Sequence, residues 1–431
     1  MGAVEVADTR ERIDAARRSI DAVWRIESAR LIAGLARVTR DIGLAEDLAQ
    51  DALVAALEQW PRDGIPDNPG AWLMAVGRRR AVDQIRRQET LARKQQQLGH
   101  DLETRPPVGE SAFGSVEEDI EDDLLRLVFT SCHPVLSPEA RVALSLRVLG
   151  GLTTEEIARA FLVPEATVAQ RIVRAKKKLA RADVGFEVPP PAEFAERLES
   201  VLEVLYLVFN EGYSATAGED WLRPELCHEA LRLGRVLTGL LPREPEVHGL
   251  LALMEIQASR SRARVGPGGE PVLLLDQNRG RWDWAQIGRG LAALERSRAL
   301  TDSPGPYALQ AEIAACHGRA RRPEDTDWAA IARLYGALSR VTTSPVVELN
   351  RAVAVSMSDG PEAGLSVLEG VADAESLQGY HLVPAVRGDL LARLGRDGEA
   401  RAEFEQAAAL TRNEREREVL LGRAAGLAGN R

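Results

Sequence analysis

Over most of this chain apolar residues recur every three or four positions, the spacing of helices that bury one face. Leu48, Ala52 and Ala55 mark the inner face of one such helix, between a break near Gly43 and a stop at Pro61. The stretch PRDGIPDNPG, residues 61–70, is dense in turn formers and predicts a loop. Next, AWLMAVGRRRAVDQIRR puts Trp72, Leu73, Val76, Ala81, Val82 and Ile85 within reach of a core and arginines on the remainder. Trp60 and Trp72 read as core anchors. Further on, TTEEIARAFLVPEATVAQRIVRAKKK, residues 153–178, divides into two short helices. Thr153 or Thr154 caps the first, with Glu155 and Glu156 in the first turn, where the helix dipole favours them. Ile157, Ala158 and Phe161 form its apolar face. Pro164 interrupts the pattern, and Glu165 and Thr167 open the second helix. Val168 and Ile172 point inward, while Gln170, Arg171, Arg174, Lys177 and Lys178 project elsewhere. Two short helices on a tight turn, the second basic, describe a helix-turn-helix or a plain helical hairpin with a solvated face.

Beyond it, RADVGFEVPPPAEF, residues 181–194, is a proline-marked junction. The residues after it continue the helical period and carry a weak repeat. Gly388, Leu391, Ala400, Phe404 and Ala407 have tetratricopeptide spacing, in which small residues let the helices of a hairpin approach closely. Ala230, Gly234, Leu237 and Pro242 echo it faintly. Residues 330–370 read as further packed helices. Strand-like alternation is missing from long stretches, so the fold expected is all-α. Four segments follow: a helical module over 10–90, an acidic flexible linker over 91–123, a helix-turn-helix module over 124–183 and a helical-repeat domain over 190–431.

Composition narrows this reading. The chain has 431 residues, enough for several domains, and carries a net charge of −10. That total argues against indiscriminate nucleic-acid binding, yet positive charge is gathered in two blocks. One holds Arg78, Arg79, Arg80, Arg86, Arg87, Arg93 and Lys94; the other holds Arg159, Arg171, Arg174, Lys176, Lys177, Lys178 and Arg181. Between them lies EEDIEDD, residues 117–123. The three cysteines, Cys132, Cys227 and Cys316, are far apart, which points to a reducing cytoplasm without a disulfide frame. No signal-like apolar segment opens the chain and no run approaches the length of a membrane span, so no membrane association is expected. Cys132 and His133 are neighbours without further ligands at metal spacing, and they read as core.

The order of AEDLAQDALVAALEQW, NPGAWLMAVGRRRAVDQIRRQ and the helix-turn-helix resembles regions 2 and 4 of bacterial sigma factors. With no segment for regions 1.1 or 3, the chain is similar to the extracytoplasmic-function (ECF) group. LYLVFNEGYSATAGEDWLRPELCHEALRL and LLLDQNRGRWDW further resemble an ECF subgroup with a long tetratricopeptide-like extension. The resemblance implies core RNA polymerase and promoter DNA as partners, and leaves room for a further protein partner of the repeat domain. It implies that Glu46, Asp47, Gln50 and Asp51 dock on the clamp helices of the largest polymerase subunit. It assigns the melted −10 element to Asn68, Trp72, Arg78, Arg79, Asp83, Arg86 and Arg87, on the loop and the helix after it. At the −35 element, Glu165, Thr167, Gln170 and Arg171 would face base edges, and Arg174, Lys177 and Lys178 phosphates. The linker would thread toward the polymerase channels, with acidic residues mimicking nucleic acid. Two departures stand out. Arg79 occupies a position where many ECF factors have Asn. Leu162 and Ala166 replace turn glycines, which predicts that Leu162 avoids a positive φ.

A stand-alone helix-turn-helix regulator with a sensing repeat domain is the alternative, and the region 2 pattern argues against it. Asn210, Glu211 and Tyr213, and the group from Asp276 to Asp283, read as polar networks that fix helix packing. His228, His248, His317 and His381 lack metal or triad spacing. No enzyme activity, cofactor or metal is expected.

Overall fold

The computed structural model describes residues 2–96, 118–214, 222–267, 271–371, 374 and 377–428. These form eighteen α-helices, and beyond three-residue helical turns the only β-type pairing among the described residues is one isolated bridge, Val265 with Pro271. Eight helices begin on a proline, where the missing N–H is not needed and the fixed φ suits the first turn.

The chain divides into two compact units, Met1–Val204 and Leu205–Arg431. In the first, α1 (Gly2–Thr39), α2 (Ile42–Asp63) and α3 (Pro69–Gln96) pack mutually around Ile32, Leu35, Leu48, Ala52, Trp60 and Leu73. Helix α4 (Glu118–Ser131) lies against α1 and leads to α5 (Pro138–Val148), α6 (Thr154–Phe161) and α7 (Glu165–Arg181). The expected break near Gly43 falls instead at Arg40, with φ 54°, and at Asp41, whose side chain accepts from Leu44 N–H. A capping carboxylate, not the glycine, starts α2. Pro61 does not close that helix, which runs two residues further to Asp63 with the ring in its last turn.

Of the expected linker, residues 97–117 lie outside the described residues. Residues 118–123 differ from the expectation: they form the first turns of α4, and Asp123 is buried beside Arg126 (2.8 Å) and Arg37 (3.3 Å). The junction also differs. Helix α8 (Pro191–Tyr213) crosses from one unit into the other, and its first half packs on α4 and α5. Phe194 meets Phe129, Arg197 donates to the Phe129 carbonyl, and Ser200 donates to the Cys132 carbonyl.

The second unit strings helices against their chain neighbours: α9 (Pro224–Leu240), α10 (Pro245–Ala258), α11 (Trp284–Leu300), α12 (Pro306–Arg319), α13 (Trp328–Val341), α14 (Pro345–Ser358), α15 (Pro361–Glu369), α16 (Leu382–Arg393), α17 (Asp397–Leu410) and α18 (Glu414–Ala428). The small-residue reading holds locally. A Cβ on Gly388 would lie 3.0 Å from the Phe404 ring, and Leu391, Ala400, Phe404 and Ala407 share one core. A Cβ on Gly234 would lie 2.8 Å from the Met254 methyl group. The group from Asp276 to Asp283 is structural. Buried Arg279 donates to the carbonyls of His317 and Ala320 and to Thr326 Oγ1, and Asp283 caps α11.

Candidate nucleic-acid interface

Helix α6 is fixed by a capping box. Thr153 Oγ1 accepts from Glu156 N–H at 3.1 Å, and Glu156 accepts from Thr153 N–H at 2.8 Å. The turn then passes through Leu162 at φ 49° and ψ 43°. This corrects the expectation that Leu162 avoids a positive φ: its N–H closes the last turn of α6, and it is 54% exposed, so its side chain meets no obstacle. Ile157 and Ala158 of α6 and Val168, Ile172, Ala175 and Leu179 of α7 are buried, which fixes the outward face of α7.

That face carries Glu165, Gln170, Arg174, Lys177 and Lys178 exposed, with Thr167 and Arg171 half-buried at its edge. Among the described residues Arg171, Arg174, Lys177 and Lys178 form no ion pair, so the stripe offers cations to an external anion. Glu165 accepts from Thr154 Oγ1 at 2.9 Å, which ties it across the turn. Val173, 48% exposed beside these cations, was not singled out by sequence. Its signal was an apolar residue outside the buried stripe.

The residues assigned to the −10 element differ in their surroundings. Asn68 caps α3 by accepting from Ala71 N–H at 3.0 Å. Trp72 packs edge-on against buried Trp60, centroids 5.4 Å apart, as a core anchor does. Arg78 turns inward near Arg37 and Asp123; burial, then Arg37, lowers its pKa against the pull of Asp123. Arg79, Asp83, Arg86 and Arg87 are exposed. A shallow recess of about 320 Å³ is lined by Arg78, Arg79, Val82, Asp83 and Arg86, one face of α3. From Asn68 to Arg86 the helix runs roughly 27 Å, so the two ends cannot share a base.

On α2, Asp47 and Asp51 are exposed and Gln50 is half-buried. Asp51 pairs with Arg80 at 3.2 Å. Val54 (50% exposed) and Leu57 (41%) extend this face with apolar surface that the sequence reading passed over, because they lie off the inner stripe of Leu48, Ala52 and Ala55. Glu46 is not on the open face. It is 4% exposed, beneath Arg147, whose Nε lies 2.9 Å away, and Lys176.

Elsewhere, a cleft of about 800 Å³ between α11, α12 and α13 is lined by Arg298, Glu312, Arg319 and Asp327 among others. Its charges are balanced, and Glu312 pairs with both Arg298 and Arg319. Among the described residues no three His, Cys, Asp or Glu side chains converge as metal ligands, and no helix is long and apolar enough to cross a membrane.

Comparison with known proteins accounts for both modules. Residues 26–90 match the Sigma-70 region 2 model, residues 126–179 match Sigma-70, region 4, and residues 197–298 match a family of unknown function, DUF6596. An uncharacterized protein of Rhizobium meliloti is 47% identical over 88% of this chain and 89% of its own length. A probable ECF RNA polymerase sigma factor, SigI, of Mycobacterium tuberculosis is 30% identical over 40% of this chain and 58% of its own length. The ECF RNA polymerase sigma factor SigK of a Mycobacterium species is 29% identical over 36% of this chain and 80% of its own. No solved structure matches the chain at a significant level.

Proposed function

Because this chain is a sigma factor of the sigma-70 family and the ECF kind, which directs transcription initiation with core RNA polymerase on promoter DNA, we propose how its own residues divide that work. Helix α7 enters the major groove at the −35 element. Gln170 and Arg171 meet base edges, Val173 meets a thymine methyl group, and Arg174, Lys177 and Lys178 meet phosphates. The unpaired cationic stripe on an exposed helix is the observation that carries this assignment. Thr167 supports the entry turn. Glu165, tied to Thr154, orients the start of α7 and does not itself reach a base.

At the −10 element, Arg79, Asp83, Arg86 and Arg87 hold the separated strand along one face of α3, with the recess between them receiving a base or a phosphate. Unstacking a base costs a few kcal/mol, which cationic and stacking contacts offset. Asn68 caps the start of that helix, Trp72 anchors it against Trp60, and Arg78 borders the recess. Asp47, Gln50 and Asp51, with Val54 and Leu57, form the docking face for polymerase. The second unit modulates activity.

Purified chain, core polymerase and a promoter selected from genome-wide occupancy test the assignment by run-off transcription. Promoter-dependent transcripts are expected. They should fall when Arg86 and Arg87 are both changed to Ala, with binding of isolated −35 duplex intact. Duplex binding without any core binding would instead make the chain a stand-alone regulator.

A further inference from the structure

We propose that the second unit binds a small organic oxyanion, a carboxylate or a phosphate ester carried on a flat ring, between Arg260 and a wall of tyrosines. Such a site gives that unit an input of its own, and it stands whether or not the chain works with polymerase.

Its first sign is where the tyrosines lie. The chain has five, Tyr206, Tyr213, Tyr307, Tyr335 and Tyr380. All belong to the second unit, on α8, α12, α13 and the turn before α16. They form one connected group. Tyr206 meets Tyr307 edge-on, centroids 5.5 Å apart, and Tyr213 accepts from Arg260 at 2.7 Å. Burial, then Tyr206, pushes the Tyr335 hydroxyl up to about 12 against the pull of Arg260. Burial, then Glu416 and Tyr206, raises that of Tyr380. All five are half-buried. Solvent thus reaches Tyr335 although protein surrounds it closely enough to lift its pKa, a combination that describes the wall of a recess. Its hydroxyl makes no hydrogen bond among the described residues. Rings with a polar tip suit a surface that must hold an apolar body and a hydrogen-bonding group together.

The second sign is charge. Arg260 follows α10, and its guanidinium carbon lies 5.8 Å from the ring centroids of both Tyr213 and Trp282, which fix it by their faces. Among the described residues only one of its five donors is used, the one to Tyr213, and its Nε is buried without a partner. No carboxylate there pairs with it. Acids of the neighbouring helices are already taken: Glu211 by Arg223, and buried Glu255 by Arg235 at 2.6 Å and Arg289 at 3.6 Å. Buried Arg279 lies 4.8 Å from the Trp282 ring, and Arg279 Nε, Trp282 Nε1 and His317 Nδ1 also lack hydrogen-bond partners. A cation drawn out of water with unmatched donors is costly. An oxyanion that accepts two guanidinium N–H groups side by side removes that cost. The larger cleft between α11, α12 and α13 makes no such demand, because Glu312 already meets Arg298 and Arg319 there.

Isothermal titration of the full chain with phenyl phosphate, with benzoate and with uncharged phenol tests the site. Saturable one-to-one binding of an anion is expected at millimolar concentration, with phenol at least about tenfold weaker; the tighter anion identifies the headgroup as phosphate or carboxylate. Arg260→Gln should reduce affinity about tenfold or more. Tyr335→Phe removes only a hydroxyl that the described residues leave unused, so it should keep the urea midpoint and reduce affinity about two- to tenfold. Arg333→Gln takes a positive charge from the helix that carries Tyr335 and lines the other cleft, and it should leave binding unchanged. Absence of binding by either anion, equal binding of phenol, or a loss in Arg333→Gln in place of Arg260→Gln would each overturn the site. If Arg260→Gln lowers the urea midpoint, Tyr335→Phe decides, and unchanged affinity in that variant rejects the tyrosine wall. No polymerase enters the measurement, so its failure leaves the sigma-factor reading untouched.

Discussion

Leu162 occupies the left-handed region at φ 49° and ψ 43°, where an L-residue costs roughly 1–2 kcal/mol, and it is largely exposed. Leu162→Gly relieves that cost but adds freedom to the unfolded chain. The net gain expected is up to about 1 kcal/mol, read as a higher urea midpoint for the first unit; a lower midpoint would show the Leu162 side chain to be stabilising. His317 gives a pH dependence. Burial, followed by Arg260 and Arg279, lowers its pKa to about 3. The unfolded chain titrates near the ordinary value of about 6.5, so it binds the extra proton first as pH falls. Stability from neutral His317 is therefore complete above about pH 6.5 and is lost toward acid, by about 2 kcal/mol at pH 5. His317→Phe, which keeps the edge contact with Trp328, should flatten that difference in the denaturation midpoint of the second unit between pH 7 and 5. None of this was legible from sequence. The torsion at Leu162 depends on how two helices meet, and His317 and Glu46 owe their states to partners remote along the chain.

Helix periodicity was legible wherever one face is buried, because period 3.6 is a local signal that tertiary packing reinforces. The helix-turn-helix came through almost whole: cap, buried stripe and basic face all stand where the pattern puts them. The start of α2 did not, because Asp41 supplies a cap three residues before Leu44 and a glycine inside a helix can be tolerated. Depth within the −10 group was not legible: a helix turns about 100° per residue, so Arg79 and Arg86 stand exposed while the adjacent Arg78 is half-buried. For α7, Arg174→Ala should weaken duplex binding alike on all sequences and reduce the salt slope by about 0.9. Val173→Ser should instead relax preference at a single thymine, costing roughly 1 kcal/mol or more there and little elsewhere. Competition binding with singly substituted duplexes at two salt concentrations separates the two effects; a uniform loss for Val173→Ser would refute the methyl contact.

At the scale of the whole molecule, the proline-rich junction marks a change in composition but not the end of the first unit. Phe194, Arg197 and Ser200 of α8 cover Phe129 and the Cys132 carbonyl, and Arg141 pairs with Glu203 at 2.9 Å. Cutting at residue 188 therefore strips apolar cover from α4, leaves Arg141 without Ser200 and Glu203, and leaves the Phe129 and Cys132 carbonyls without their donors. Each buried large side chain is worth about 1.5–3 kcal/mol, and each orphaned buried polar group about 1–3. A chain ending at residue 188 should consequently be less stable than one ending at residue 204 by several kcal/mol, measured by urea denaturation. The two truncations then separate stability from regulation. Transcription by the 204 chain that exceeds the full chain identifies the second unit as inhibitory, and its loss identifies a required element. If the 188 and 204 chains unfold at the same midpoint, the first half of α8 is dispensable to the DNA-reading unit. The junction would then lie at the prolines after all.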